Sequence, residues 1–250
     1  MSTIDDMQWL TQSVGWIRCN GTGTFQTVDG GKSWSPLEVA DNQWSSLSVV
    51  EATNFFFMNS DSYVVHVQGS RWSKTPFISK TPLLRSLQFL DDETGWAVYS
   101  ELSDKRVVYV RTADGGHTWQ NMEGAEAAKL VNLRFGSQLV GYGYSTDRPF
   151  VSRDSGRTWD AGEVSGEFTW PDKLFVLNES TALMVGQSLC ATSDTGVHWV
   201  CREIPASIPS FRIEGIFFRD RKTGWILSDD QLFETNNQGE TWRQVRLPND

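Results

Sequence analysis

The chain is 250 residues long and carries 22 Lys and Arg against 31 Asp and Glu, a net charge of −9 at neutral pH. That balance argues against nucleic acid as a direct ligand, because phosphate binding needs a basic face. Three His and three Cys supply a zinc site or a catalytic triad poorly, and no apolar stretch approaches the length of a membrane span, whereas 39% hydrophobic residues suffice for a sizeable core.

From the N-terminus, the sequence predicts short strands separated by polar turns. An inner strand over Met7 to Thr11 is followed by Gly15-Trp16 and by a polar phrase, Thr27-Val28-Asp29-Gly30-Gly31-Lys32-Ser33-Trp34. Phe55-Phe56-Phe57 marks the next repeat, whose phrase is degenerate around Gly69-Ser70-Arg71-Trp72. The third runs from Leu87-Gln88-Phe89-Leu90 through the turn Asp91-Asp92-Glu93-Thr94 to Gly95-Trp96, Val107-Val108-Tyr109-Val110 and TADGGHTW at 112–119. Gly141-Tyr142 with SRDSGRTW at 152–159 and Leu183-Met184-Val185 with TSDTGVHW at 192–199 give the fourth and fifth. The sixth has Ile213 to Phe218, Gly224-Trp225 and TNNQGETW at 235–242.

The phrase recurs at a fixed distance. Asp114 to Asp154 is 40 residues, Asp154 to Asp194 is 40 and Asp194 to Asn237 is 43, while the 85 residues from Asp29 to Asp114 make two periods. A period in the forties with strand-like sequence between turns points to propeller blades. The expected fold is therefore all-β, a six-bladed propeller with four antiparallel strands per blade. It forms one domain over 1–250, with blades at about 5–41, 42–81, 82–125, 126–166, 167–207 and 208–250. No Pro/Ser/Gly-rich linker interrupts the period.

Each residue of the phrase has a mechanical reason to be there. Asp29, Asp114, Asp154 and Asp194, with Asn237 in the last copy, accept hydrogen bonds from backbone N–H groups just ahead, and the Gly after them supplies a positive φ. Trp34, Trp119, Trp159, Trp199 and Trp242 close the hairpin with a large apolar face. The same carboxylate in every repeat serves each blade rather than one site, so its role is structural. Cys190 and Cys201 are equidistant from the Thr195-Gly196 corner, which sets them opposite each other in a hairpin. Met1 to Asp6 lacks the basic and apolar regions of an export signal, so the expected location is cytoplasmic, or periplasmic or extracellular if a leader was removed. In a reducing cytoplasm the two cysteines are expected to be half-buried thiols.

At these phrases the chain resembles the BNR or Asp-box repeat family, found in sialidases and other β-propellers, and five of the six repeats match. The resemblance implies boxes at the turn between the third and fourth strands of each blade, on the outer rim and away from any active site. A sialidase-like glycosidase would need three converging Arg, a Tyr-Glu pair and an Asp acid. Phe211-Arg212-Ile213 is similar to the start of that family's Phe-Arg-Ile-Pro motif, but Glu214 stands for Pro and the segment falls in the last repeat instead of the first. Gly95 to Trp119 resembles the repeats of photosystem II assembly and stability factors, which implies a non-enzymatic binder of a partner protein. Six repeats rather than seven, and no obvious basic patch, separate the chain from that group.

If the boxes mark one end of the blades, the loops at the opposite end carry Asp61, Glu101, Asp104, Asp147, Asp229 and Asp230, and the links between blades add Glu38, Asp41, Glu123, Glu126, Glu163, Glu167 and Glu203. Arg18, Lys80, Arg85, Arg106, Lys129 and Arg148 oppose them. A face of one sign steers basic partners. The sequence thus points to a non-catalytic, protein-binding propeller without cofactor, metal or membrane insertion, such as an inhibitor or immunity protein capping a basic toxin nuclease. The assembly-factor and glycosidase readings stand as alternatives.

Overall fold

The computed structural model describes residues 4–11, 13–19, 23–37, 44–59, 61–122, 129–209, 213–229 and 231–245. They fall into two compact units, 1–122 and 123–250. The first unit holds three sheets: β1 (Ile4–Trp9), β2 (Gly15–Cys19), β3 (Gly23–Thr27) and β4 (Ser35–Pro36); β5 (Trp44–Glu51), β6 (Asn54–Asn59), β7 (Tyr63–Gln68) and β8 (Arg71–Pro76); and β9 (Pro82–Phe89), β10 (Thr94–Glu101), β11 (Val107–Ala113) and β12 (Gln120–Asn121). The second unit holds β13 (Asn132–Phe135), β14 (Gly141–Tyr144), β15 (Pro149–Ser152) and β16 (Asp160–Ala161); β17 (Glu163–Ser165) with β18 (Pro171–Asn178), β19 (Thr181–Gly186), β20 (Ser188–Thr192) and β21 (His198–Glu203); and β22 (Ile213–Phe218), β23 (Gly224–Ser228), β24 (Gln231–Thr235) and β25 (Arg243–Val245). Six blades of four antiparallel strands make this an all-β, six-bladed β-propeller.

The second strands explain the continuous apolar runs. Successive side chains of a strand point to opposite faces, so a strand packed on both sides is apolar throughout. In β6, Phe55 and Phe57 join Trp16, Leu47 and Val65 in one core cluster, while Phe56 and Met58 join Leu87, Phe89 and Trp119 in another. In β19, Ala182 and Met184 pack with Tyr142 and Trp199, and Leu183 and Val185 with Ile226 and Phe233.

The recurring Gly of the second strand has a packing role that the repeat pattern alone did not reveal. Gly95, Gly141 and Gly224 pair across the ladder with Phe89, Phe135 and Phe218, each six residues earlier. A Cβ on these glycines would lie 2.5 to 2.7 Å from the partner's ring. Without it each ring lies over the bare backbone and meets the box Trp of its own sheet edge to face, at 6.0 Å for Trp119, 6.1 Å for Trp159 and 6.4 Å for Trp242.

Each box closes on itself. Thr27 Oγ1 donates to Asp29 Oδ1 at 2.8 Å and accepts from the Gly31 N–H at 2.9 Å, while Asp29 takes the Ser33 N–H at 2.9 Å and the Ser33 hydroxyl at 2.6 Å. Asp114 and Asp154 repeat this with Thr118 and Thr158. Asn237 keeps the geometry by reversing one bond: its Nδ2 donates to Thr241 Oγ1 at 2.9 Å. Two successive residues are left-handed rather than one, as at Ser155 and Gly156, with φ of 64° and 87°. The indoles of Trp119, Trp159, Trp199 and Trp242 donate to the carbonyl of the box Gly at 3.1 to 3.2 Å. The degenerate copy differs: Gly69-Ser70 is a two-residue turn, and Trp72 is 51% exposed where Trp119, Trp159 and Trp199 are at most 9% exposed.

Three features depart from the sequence reading, the first being that the opening strand spans Ile4–Trp9 rather than Met7 to Thr11. The link after β16 forms β17, a fifth strand that pairs in parallel with β21. Cys190 and Cys201 sit opposite each other, as the hairpin requires, but they are bonded and buried rather than half-buried thiols. The two are direct cross-strand partners buried in the same cluster as Tyr142, Met184 and Trp199, so the bond forms without displacing either strand.

Three consequences can be measured. Asp154→Ala should cost about 1–3 kcal/mol in chemical denaturation, since it removes three hydrogen bonds to a carboxylate, from the Thr158 N–H and the Thr158 and Ser152 hydroxyls. Hydrogen bonds from Ser33 and Thr27 hold Asp29 at about 2, and at Asp114 bonds from Thr118 and Thr112 reach the same value against an opposing burial penalty. Both lie below the unfolded value, so their contribution is full above about pH 4 and is lost as pH falls through 2. Asp29→Asn with Asp114→Asn should therefore flatten the stability profile between pH 4 and pH 2. Cys201→Ser should cost about 2–4 kcal/mol, and the native bridge should resist dithiothreitol until the chain unfolds, as intact mass after alkylation would report.

Candidate functional site

The carboxylates expected at the end opposite the boxes are largely engaged. Glu101 accepts the Ser79 hydroxyl at 2.9 Å, Asp104 caps the Arg106 N–H at 2.9 Å and lies 3.8 Å from its guanidinium, and Asp147 accepts from Ser145 and, at 3.1 Å, from Arg148. Asp61 and Asp229 are exposed, and Asp230 lies outside the described residues, as do Glu38, Asp41, Glu123, Glu126, Phe211 and Arg212. In the first unit Asp61, Glu101 and Asp104 share that end with exposed Lys80, Arg85, Lys105 and Arg106, so charges there are mixed.

A cleft of about 600 Å³ opens at the box end of the second and third sheets. Glu51, Thr53 and Asn54 come from the β5–β6 turn, Gln68 and Gly69 from the β7–β8 turn, and Asp91, Asp92 and Glu93 from the β9–β10 turn. Strand alternation brings these three turns to one end. The cleft lies beside the one β-turn between third and fourth strands that is cut to two residues, where the other five sheets carry a folded box. Four carboxylates line it, and among the described residues no Lys or Arg does.

Amides from the second sheet position its floor. Asn54 Nδ2 donates to Asp92 Oδ1 and Gln68 Nε2 to Asp92 Oδ2, at 2.9 Å for the latter. Asn54 Oδ1 in turn lies 2.8 Å from His66 Nε2, which assigns the imidazole proton to Nε2. His66 stacks on Phe56 at 3.9 Å and Phe56 on Phe89 at 3.6 Å. Burial lowers the His66 pKa, against the pull of Asp92 3.8 Å away, so the ring is neutral at pH 7. Asp91 caps its own turn by accepting the Glu93 N–H at 2.9 Å. Among the described residues the Glu51 and Glu93 side chains have no hydrogen bond or ion pair. Two fixed and two unpaired carboxylates give the cleft a negative lining.

In the sequence Asp91 to Thr94 reads as a polar turn and Gly69 to Trp72 as a degenerate repeat, and neither alone points to a site. The available signal was their combination, a missing box beside an acidic run at the same end of the next blade. Among the described residues no three His, Cys, Asp or Glu side chains converge as metal ligands.

No protein-family model and no curated protein matches the chain. Solved structures do. YCF48 bound to D1 peptide is 19% identical over 97% of this chain and 82% of that one, with a TM-score of 0.68. YCF48 from Cyanidioschyzon merolae is 15% identical over 100% and 86%, with a TM-score of 0.69. The GH74 enzyme of Niastella koreensis is 14% identical over 97% of this chain but 45% of its own, with a TM-score of 0.71. These likenesses define the class, a β-propeller, and at such identities they extend to the fold alone.

Proposed function

We propose that the chain is a non-catalytic binding propeller of the Asp-box repeat type, and that it holds a basic segment of a partner protein in the cleft between the second and third sheets. The observation that carries this reading is the convergence of Glu51, Asp91, Asp92 and Glu93 on one cleft with no lining cation among the described residues. A concave site of one sign with low-dielectric walls concentrates its field and attracts oppositely charged groups. YCF48 bound to D1 peptide supports peptide capture as a use of such a scaffold and favours the assembly-factor type as a second reading. Capping a basic toxin remains the inhibitor form of the same idea. The Cys190–Cys201 bridge favours an oxidising compartment over the cytoplasm for either.

Binding of a fluorescent Lys/Arg-rich peptide, followed by anisotropy and salt titration, tests the reading. Asp91→Asn, Asp92→Asn and Glu93→Gln together should weaken binding about ten-fold or more and reduce its salt dependence, while Glu101→Lys with Asp104→Lys should leave it little changed. Loss in the second variant and not the first would move the site to the opposite end. Hydrolysis of a polysaccharide by the purified protein would replace the reading with the glycosidase one.

A further inference from the structure

His198 stands where the other four boxes have a hydroxyl residue, Ser33, Thr118, Thr158 or Thr241. Its Nδ1 lies 2.6 Å from Asp194 Oδ2, filling the role of those hydroxyls, and its Nε2 lies 3.5 Å from Glu163 Oε2 on β17. One imidazole therefore touches both the box and the strand added beside it.

β17 is a slight element. Its three residues are exposed, and it is held by the parallel register Glu163↔His198, Val164↔Trp199 and Ser165↔Val200 and by the Glu163 N–H donating to Val197 O at 2.8 Å. Gly162 and Gly166 flank it because the approach is close: a Cβ would lie 2.5 Å from Trp199 Cδ1 at the first and 2.2 Å from Cys201 O at the second. The Cys190–Cys201 bridge ties β21 to β20, so release of β17 need not propagate inward.

A neutral imidazole has one N–H and can donate to Asp194 or to Glu163, whereas the imidazolium donates to both. We propose that protonated His198 latches β17 onto β21, and that deprotonation lets this fifth strand open. The charged groups facing His198 are Asp194 from its own hairpin and Glu163 from β17; Arg153, from the β15 hairpin, engages Thr195 O at 2.8 Å and Asp160 at 3.2 Å. The hydrogen bond to Asp194 raises the His198 pKa above 6.5, against partial desolvation and with the further attraction of Asp194 and Glu163. A raised folded value means the latch is complete below about pH 6.5 and is lost as pH rises through the folded pKa.

Hydrogen exchange on the whole chain tests this, read as protection factors for residues 163–166 at pH 5.5 and pH 8.5 and so corrected for intrinsic rates. Exposed ion pairs are weak, so protection should fall about two- to five-fold at the higher pH. His198→Thr, which restores the hydroxyl of the other boxes, should show the low protection at both pH values, and Glu163→Gln should lose most of the response while leaving the fold untouched. NMR titration of the His198 ring should give a lower pKa in Glu163→Gln than in the native chain. Equal protection at both pH values in the native protein, or a full pH response in Glu163→Gln, overturns the proposal.

Discussion

A carboxylate that satisfies the corner of a hairpin is the interaction on which this molecule rests. Each box must turn the chain through two left-handed residues while leaving several N–H groups facing inward, and buried N–H groups without partners are costly. The hydroxyls of Thr27, Thr112, Ser152 and Thr192 accept the inward Gly N–H, and Asp29, Asp114, Asp154 and Asp194 hold those hydroxyls in place while taking the exposed N–H four residues on. Only with the corner closed can the Trp that follows swing under it, donate to the Gly carbonyl and present an edge to the inner strand's aromatic ring. The hydrogen-bonded corner and the aromatic core are two parts of one unit.

Much of this architecture was legible because its causes are local. A turn that needs Asp, Gly and a hydroxyl at fixed offsets leaves a mark at every repeat, and strands packed on both faces leave the apolar runs at Phe55–Phe57 and Leu183–Val185. The pairing of Phe89 with Gly95 was equally present in the sequence, yet its meaning depends on cross-strand register, which only the ladder supplies. The parallel β17 was hidden for another reason. Three residues reading Glu-Val-Ser have no pattern of their own, and what fixes them is space beside β21 together with the glycines on either side. The disulfide was visible as geometry but not as chemistry, because the spacing of Cys190 and Cys201 gives proximity and the expected compartment argued for thiols.

The candidate site was less legible than the fold because charge was counted by loop rather than by contact. The sequence names Arg106 and Arg148 only as opposing charges on that end, and the structure pairs them directly with Asp104 and Asp147. Conversely Glu51 and the Asp91–Glu93 run, 40 residues apart, converge only because neighbouring sheets present the same turn at the same end. A net charge of −9 says little about the local field, which depends on how paired and unpaired carboxylates are distributed.

Because each box satisfies most of its polar groups within its own blade, a repeat asks little of its neighbours' corners beyond single contacts such as Arg153 to Thr195 O and Thr75 to Gly116 O. Such a unit can be copied without redesigning the surface it is copied onto, and it can also decay alone. The second blade illustrates this: with Gly69-Ser70 in place of a box, its strands still pair along their full length, and the vacated end borders a hollow rather than a defect. Where corners depend so little on one another, a run of near-identical parts is a medium in which novelty can arise by deletion as readily as by insertion.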